Sequence, residues 1–421
     1  MRRGGKLFLV AFVVTLLGVV AYIADVPLLT RLELKTQDLR MQEEKPSPAS
    51  SRIVLVVVDG KSLDAEGGWP WPRSKLAALV TKLSDAGAKV IAFDMFFPKP
   101  QTDEADLAFV DAVRQSKADV VLGYYFRYRQ GDGEHVSEEE IRILENSIAR
   151  ARHLPMVVTA RATTESASLR DAVLLESNIP GLSSAAASVG YTNLDSDGDG
   201  VCRSIPGVVR FHGSLYPPLS VVIAARYVGS RTFVCMAHDG VRSILVGNIA
   251  IPTDRWGSIV VNQRHCQFPT VSATDVLVDK VPAATLAGKI AMIGATAPSL
   301  HDAIVTPRDT ALPGVALHAS VVDSILDQDF ISRPSWRVGL TVLCLIAGGL
   351  LTGVILSLTR VWAAALVSGA LLTGYVASCC LVFSKQGMII DLVYPVAVCL
   401  LVFFSVTICR LCLKERSAEP F

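Results

Sequence analysis

Four stretches of this chain carry almost no charge, and they stand towards its two ends. Residues 7–24, LFLVAFVVTLLGVVAYIA, are 18 uncharged positions. At about 1.5 Å per residue they reach across most of a hydrocarbon core roughly 30 Å thick. Val338–Leu358 and Val361–Phe383 are two further uncharged runs with Arg360 between them, and a last run from about Met388 to Cys409 holds only Asp391. The pattern predicts one membrane-spanning helix early and three late, with Pro395 kinking the last.

The long segment between them has a different period. Residues 31–45, RLELKTQDLRMQEEK, are charged and helix-favouring and read as a stalk, ended by Pro46-Ser47-Pro48. Ile53–Val58, IVLVVV, is a short β-branched run of the kind buried on both faces of a sheet. Ser74–Ala86 places Leu76, Leu79, Val80 and Leu83 on one helical stripe, stopped by Gly87. Val90–Phe93 and Val120–Phe126 read as strands around a helix at Ala105–Arg114, which makes β-α-β-α-β and a parallel sheet with right-handed crossovers. The charged run at 137–153 reads as a surface helix, and Val201–Ile259 as antiparallel strands. Lys289–Ile293 returns to the buried-strand pattern, and Val315–Leu326 is helical. The expected fold is an α/β domain with a mixed, largely parallel sheet and an insertion, at residues 26–335. It lies between an anchor at 1–25 and three membrane helices at 336–411, with a short tail at 412–421.

Composition agrees with a chain partly in lipid and partly in water: 421 residues are 51% hydrophobic and 19% charged, and the mean hydropathy is +0.43. Arg2, Arg3 and Lys6 precede the first run and Arg410, Lys414 and Arg416 follow the last, which puts both termini in the cytoplasm and the middle segment on the far side of the membrane. A cleaved signal fits poorly, because the first apolar run is long and a cut after Ala24 would put Tyr22 where a small residue belongs. Segment 25–337 holds 32 basic and 36 acidic residues, an ordinary water-facing surface without the polycation that nucleic acid requires. Only Cys202, Cys235 and Cys266 lie in it, too few for a disulfide scaffold. Gly349 and Gly353 form a GxxxG, suited to packing among the late helices, with pairing of two copies as its second use.

Candidate chemistry is sparse. Asp195, Asp197 and Asp199 alternate before Gly200 and suit a calcium ion outside the EF-hand pattern; a solvated acidic turn is the alternative. Trp69-Pro70-Trp71-Pro72-Arg73 is a stiff aromatic loop shortly after Asp59. It reads either as a lid on the core or, with Asp59 and Asp94 at strand ends, as the rim of a ligand pocket. His301-Asp302 with His318 is too small a set for a metal hydrolase, AGKIAMIG lacks the residues of a phosphate loop, and no GxSxG elbow is present.

The segments VVVDGKSL, GWPWPR, GAKVIAFDMFF, GYTNLDSDGDGVCRSIP, IPTDRWGSIVVN, LAGKIAMIGATA, HDAIVTP and PGVALHASVVDSIL occur in that order over most of residues 30–333. Together they resemble the type-two CHASE domain, an extracytoplasmic sensor of bacterial cyclases and kinases. The resemblance implies a non-catalytic receptor for an unidentified external ligand. Asp59, Trp69, Trp71, Arg73, Asp94 and Asp302 are its ligand-pocket candidates, and Asn193, Asp199, Gly294 and His318 are further matching positions. Lys99 departs from the acidic residue common there. About a dozen residues follow the last apolar run, so the expected output, a cytoplasmic cyclase or kinase, lies on a longer chain or a separate partner. The competing expectations are an assembly subunit of an envelope complex and, behind it, an external enzyme using Asp59, Asp94 and His301.

Overall fold

The computed structural model describes residues 3–43, 50–129, 138–157, 169–237, 240–264, 267–300 and 303–415. Helices α1 (Arg3–Ile23) and α2 (Pro27–Glu43) come first. An α/β region follows with α3 (Gly60–Glu66), α4 (Arg73–Asp85), α5 (Asp103–Gln115), α6 (Glu138–Ile148), α7 (Pro180–Ala185), α8 (Leu219–Val228), α9 (Ala273–Leu277) and α10 (Gly314–Asp327). Then come α11 (Arg337–Leu358), α12 (Val361–Gln386) and α13 (Val393–Glu415). The chain forms two compact units, one of residues 45–332 and one of residues 1–44 with 333–421. The stalk helix α2, read from sequence as part of 26–335, therefore groups with the apolar helices. Its Pro46-Ser47-Pro48 stop lies outside the described residues.

In the α/β unit, strands β1 (Ile53–Val58), β2 (Val90–Phe93) and β3 (Asp119–Arg127) belong to one seven-stranded sheet. Its order is Thr270–Ser272, β1, Ile290–Ala295, β2, β3 and then Ser188–Tyr191, all parallel; Leu174–Glu176 pairs antiparallel with the end of β3. The late strand Ile290–Ala295 thus enters between β1 and β2. Alternate side chains point to opposite faces, so each strand supplies two cores. Ile53, Leu55 and Val57 join a core with residues of α8 and α10, while Val54, Val56 and Val58 join one with residues of α4 and α5. Gly294 lies where a Cβ would overlap Val315 at the start of α10, a close approach that only glycine allows.

The stretch 201–259 holds the short strands the sequence suggested, yet α8 interrupts them. LSVVIAARYV is buried on all sides from Leu219 to Ala225, so it lacks the polar face whose period would have marked a helix.

In the other unit, α1 packs against α11 and α13. Gly349 and Gly353 of α11 face Thr15 and Ala11 of α1, where added Cβ atoms would overlap them. The GxxxG therefore serves packing within the chain, against the early helix rather than a late one. Four helices are long and apolar enough to cross a membrane, Gly4–Ile23, Arg337–Leu358, Val361–Gln386 and Val393–Leu413. Outward residues such as Leu17 (61% exposed) and Leu366 (67%) are stable there only in an apolar surrounding, so this is a membrane protein. Pro395 falls in the first turn of α13, where a missing N–H breaks no intrahelical bond, so its position gives no cause for the kink expected.

Gly190 sits where a Cβ would come within 2.6 Å of the Leu219 Cα. Gly190→Ala is expected to cost about 1–3 kcal/mol, as overpacking does, and to lower the thermal midpoint of the detergent-solubilised chain. Gly198→Ala, with open space around it, is expected to leave that midpoint unchanged.

Candidate functional site

The aromatic loop is built into the body. Trp71 is fully buried and its indole N–H donates to the Gly67 carbonyl at 2.9 Å; Trp69, after which the peptide to Pro70 is cis, leans on it at 5.7 Å between ring centroids. Arg73 opens α4 with its guanidinium 4.3 Å from the centre of the Phe97 ring, 3.6 Å from the Asp106 carboxylate and donating to the Lys99 carbonyl at 3.3 Å. Burial lowers the Arg73 pKa, and Asp106 opposes that shift. The Gln101 side chain accepts from the Arg73 backbone N–H at 2.9 Å and donates to the Trp71 carbonyl at 3.3 Å. These bonds fasten the segment after β2, residues 94–102, to the start of α4. Asn178 fastens it from the other side, accepting from Phe97 N–H at 2.9 Å and donating to Gly123 O at 2.8 Å. Nothing in the local sequence marked Asn178, because its partners are backbone groups 81 and 55 positions away.

That pinned segment is one wall of a cleft of about 800 Å³, completed by α5, α6 and the turn leading into α7. Its floor is apolar, with Leu107 60% and Ile143 49% exposed beside Val110 and Leu144. Asp103, Asp106 and Glu176 supply carboxylates to it. An apolar hollow with a few polar groups, beside the carboxyl ends of parallel strands, is the usual form of a small-molecule site. Trp71 and Arg73 support its wall from behind.

Asp59 caps α3, accepting from Ser62 N–H at 2.9 Å and from the Ser272 hydroxyl. Burial acts to raise its pKa, but the Ser272 and Ser62 hydrogen bonds outweigh it and hold the carboxyl below its ordinary range. Asp94 follows β2 and lies 3.7 Å from Nε2 of His318, a fully buried residue of α10 that is also 3.4 Å from the Thr192 carbonyl. Burial pushes the Asp94 carboxyl up to about 7. Asn193 bonds both the N–H and the carbonyl of Phe126, at 2.9 and 2.8 Å, and so locks the chain after Tyr191 to β3. His301, Asp302 and Cys266 lie outside the described residues.

The acidic turn is organised around arginine. Arg203, fully enclosed, donates to Asp197 at 2.8 Å and to both oxygens of Asp199 at 2.8 and 2.9 Å, and Arg170 bonds Asp195. Two guanidiniums thus occupy the carboxylates expected to converge on calcium, and among the described residues no group of three metal-ligating side chains forms.

An α/β body with an apolar cleft, preceded by one and followed by three helices long and apolar enough to cross a membrane, defines a membrane protein with a mixed α/β domain. The profile of the CHASE2 domain matches residues 8–355, and the chain belongs to that family, whose domain is sensory and not catalytic. No curated protein and no solved structure matches it.

Asp94 keeps its proton to about pH 7 in the fold, against an ordinary 3.8. Between these values the unfolded chain has lost the proton and the folded chain retains it, so this group's contribution falls as pH rises from about 4 to 7. His153, held neutral by burial down to about 3, acts oppositely: its contribution is lost as pH falls from about 6.5 towards 3. The Asp94→Asn variant is expected to gain thermal midpoint on the parent steadily from pH 4 to 7; a constant difference would mean that Asp94 ionises freely in the fold. Arg203→Ala is expected to destabilise by about 2–3 kcal/mol, less than a fully buried pair because Asp197 and Asp199 are partly exposed, while added calcium leaves the parent's midpoint unchanged.

Proposed function

We propose that this chain is a multi-pass bacterial inner-membrane receptor whose α/β unit lies outside the cytoplasm, binds its signal in the cleft beside α5 and α6, and reports it through α13 to a cytoplasmic cyclase or kinase. The observation that carries the relay is a clamp at the start of α13. Both connections of the α/β unit run into it. From α2, the Glu33 carboxylate accepts from the backbone N–H of Leu392 at 2.9–3.0 Å and of Val393 at 2.7 Å, and Arg40 donates to the Ile390 carbonyl at 3.1 Å. From the exit side, Arg333 donates to Gln37 of α2 at 3.1 Å, and Arg337 lies 3.2 Å from Asp391. Asp391 also accepts from Tyr22 of α1 at 2.8 Å and Thr341 of α11 at 2.9 Å.

A displacement of α2 or of the exit segment must therefore be answered by residues 390–393, from which α13 runs to Glu415. A ligand that favours one arrangement of these contacts shifts the population of the whole unit. The positive residues at and just beyond the outer ends of α1 and α13 support the assignment of their side to the cytoplasm.

A membrane-impermeant thiol reagent applied to intact spheroplasts is expected to label Asp64→Cys, in exposed α3, and to spare the exposed native Cys412 until the membrane is opened. Labelling of both from outside, or of Cys412 alone, overturns the placement. For the relay, a cyclase domain fused after Phe421 reports the state of α13. Glu33→Gln is expected to change basal output by about 5-fold or more, in the range of ordinary allosteric coupling, and Glu43→Gln on exposed α2 surface to leave it unchanged. Equal output from the two variants sinks the relay.

A further inference from the structure

The α/β unit has a second cleft, at the opposite ends of its strands. It holds about 720 Å³ and is bordered by Asp119 at the start of β3, Ser188 at the start of its neighbour, the segment after α6 and the C-terminal end of α8. Four arginines line it, Arg150, Arg152, Arg226 and Arg231, and among the described lining residues Asp119 is the one acid. This reverses the sign of the surrounding body, since segment 25–337 carries four more acidic than basic residues.

The guanidiniums are only partly engaged. Arg150 donates to the Ser184 carbonyl at 3.2 Å, and Arg226 bonds the Ala187 carbonyl with Asp119 4.0 Å away. Arg152 donates to Tyr216 at 3.1 Å and to Glu145 at 2.8 Å. Each has further N–H groups to offer, because a guanidinium carries five, and Arg231 is exposed at the mouth. The backbone anchors also restrict how these side chains point, so less freedom is lost when an oxyanion arrives. Like charges gathered in one hollow repel, and an anion relieves that repulsion while accepting paired N–H bonds.

We infer that this cleft binds a ligand bearing two or more phosphate groups, distinct from the signal site beside α5. The class has two sources, a free soluble phosphate compound and the headgroup of an anionic lipid. The chain in neutral detergent, titrated with inorganic pyrophosphate at constant ionic strength, is expected to bind it with a rise in thermal midpoint. The double variant Arg150→Gln with Arg231→Gln, both exposed positions, is expected to lose affinity by at least about 10-fold, two charged hydrogen-bonding groups being removed. Binding of pyrophosphate assigns the free compound. Failure with pyrophosphate but an arginine-dependent rise in nanodiscs containing cardiolipin, whose headgroup carries two phosphates, over nanodiscs of phosphatidylcholine alone assigns the lipid. No response to either, or a response that the double variant retains in full, overturns the inference. The readout is binding itself, so it stands apart from whether α13 relays a signal.

Discussion

The first backbone N–H groups of a helix have no partner within it, and in a helix that starts inside a packed, apolar unit they must find one or cost several kcal/mol. At α13 the partner is the Glu33 carboxylate, delivered by a charged helix 360 positions earlier in the chain. The helix dipole favours an anion there, and Arg40 beside Glu33, at 3.4 Å, offsets the burial of its charge. Pro395 completes the arrangement. Having no N–H, it adds no donor in need of a partner to the first turn, and the carbonyl of Asp391 just before the helix accepts from the Tyr375 hydroxyl of α12 at 2.5 Å. Residues from α1, α2, α11 and α12 thus meet on one short turn. A polar junction of this kind is costly to break and has few alternative satisfied states, which makes it a joint with defined positions instead of a flexible one.

The α/β unit answers the same demand differently. Its loops are long and irregular, and two asparagines hold them by bonding the backbone as another strand would. Asn193 reads both groups of Phe126, and Asn178 joins Phe97 to Gly123. Phe93, Phe97 and Phe109 meet edge to face, and Tyr124 meets both Phe126 and Tyr191 edge to face. The polar bonds set the path of the chain and the rings fill the space it encloses. The apolar cleft is the place where this filling stops, between α5 and α6, with Leu107 and Ile143 left open.

Arginine does two jobs in this body, and burial separates them. Arg73 and Arg203 are enclosed with carboxylates and organise a loop each. Arg150, Arg152 and Arg231 are solvent-facing and border a hollow whose described lining holds one acid, Asp119. In the first use the Arg203 guanidinium pairs with the acidic turn, whose three spaced aspartates read in the sequence either as a calcium loop or as a solvated turn.

Periodicity alone located the four apolar helices, the stripe of α4, and strands β1, β2 and β3, because each of these depends on which neighbours along the chain are apolar. The motifs in their order were enough to indicate the family. The sequence did not reveal that Ile290–Ala295 enters between β1 and β2, that LSVVIAARYV is a helix, or that the tryptophan loop supports a cleft wall from behind. Strand order and partner choice are set by contacts across hundreds of residues, and a segment buried on every side carries no period to read. Asp94 and His318 illustrate the limit: 224 positions separate them, each is an ordinary polar residue in its local setting, and only the packing of α10 onto the sheet brings them together.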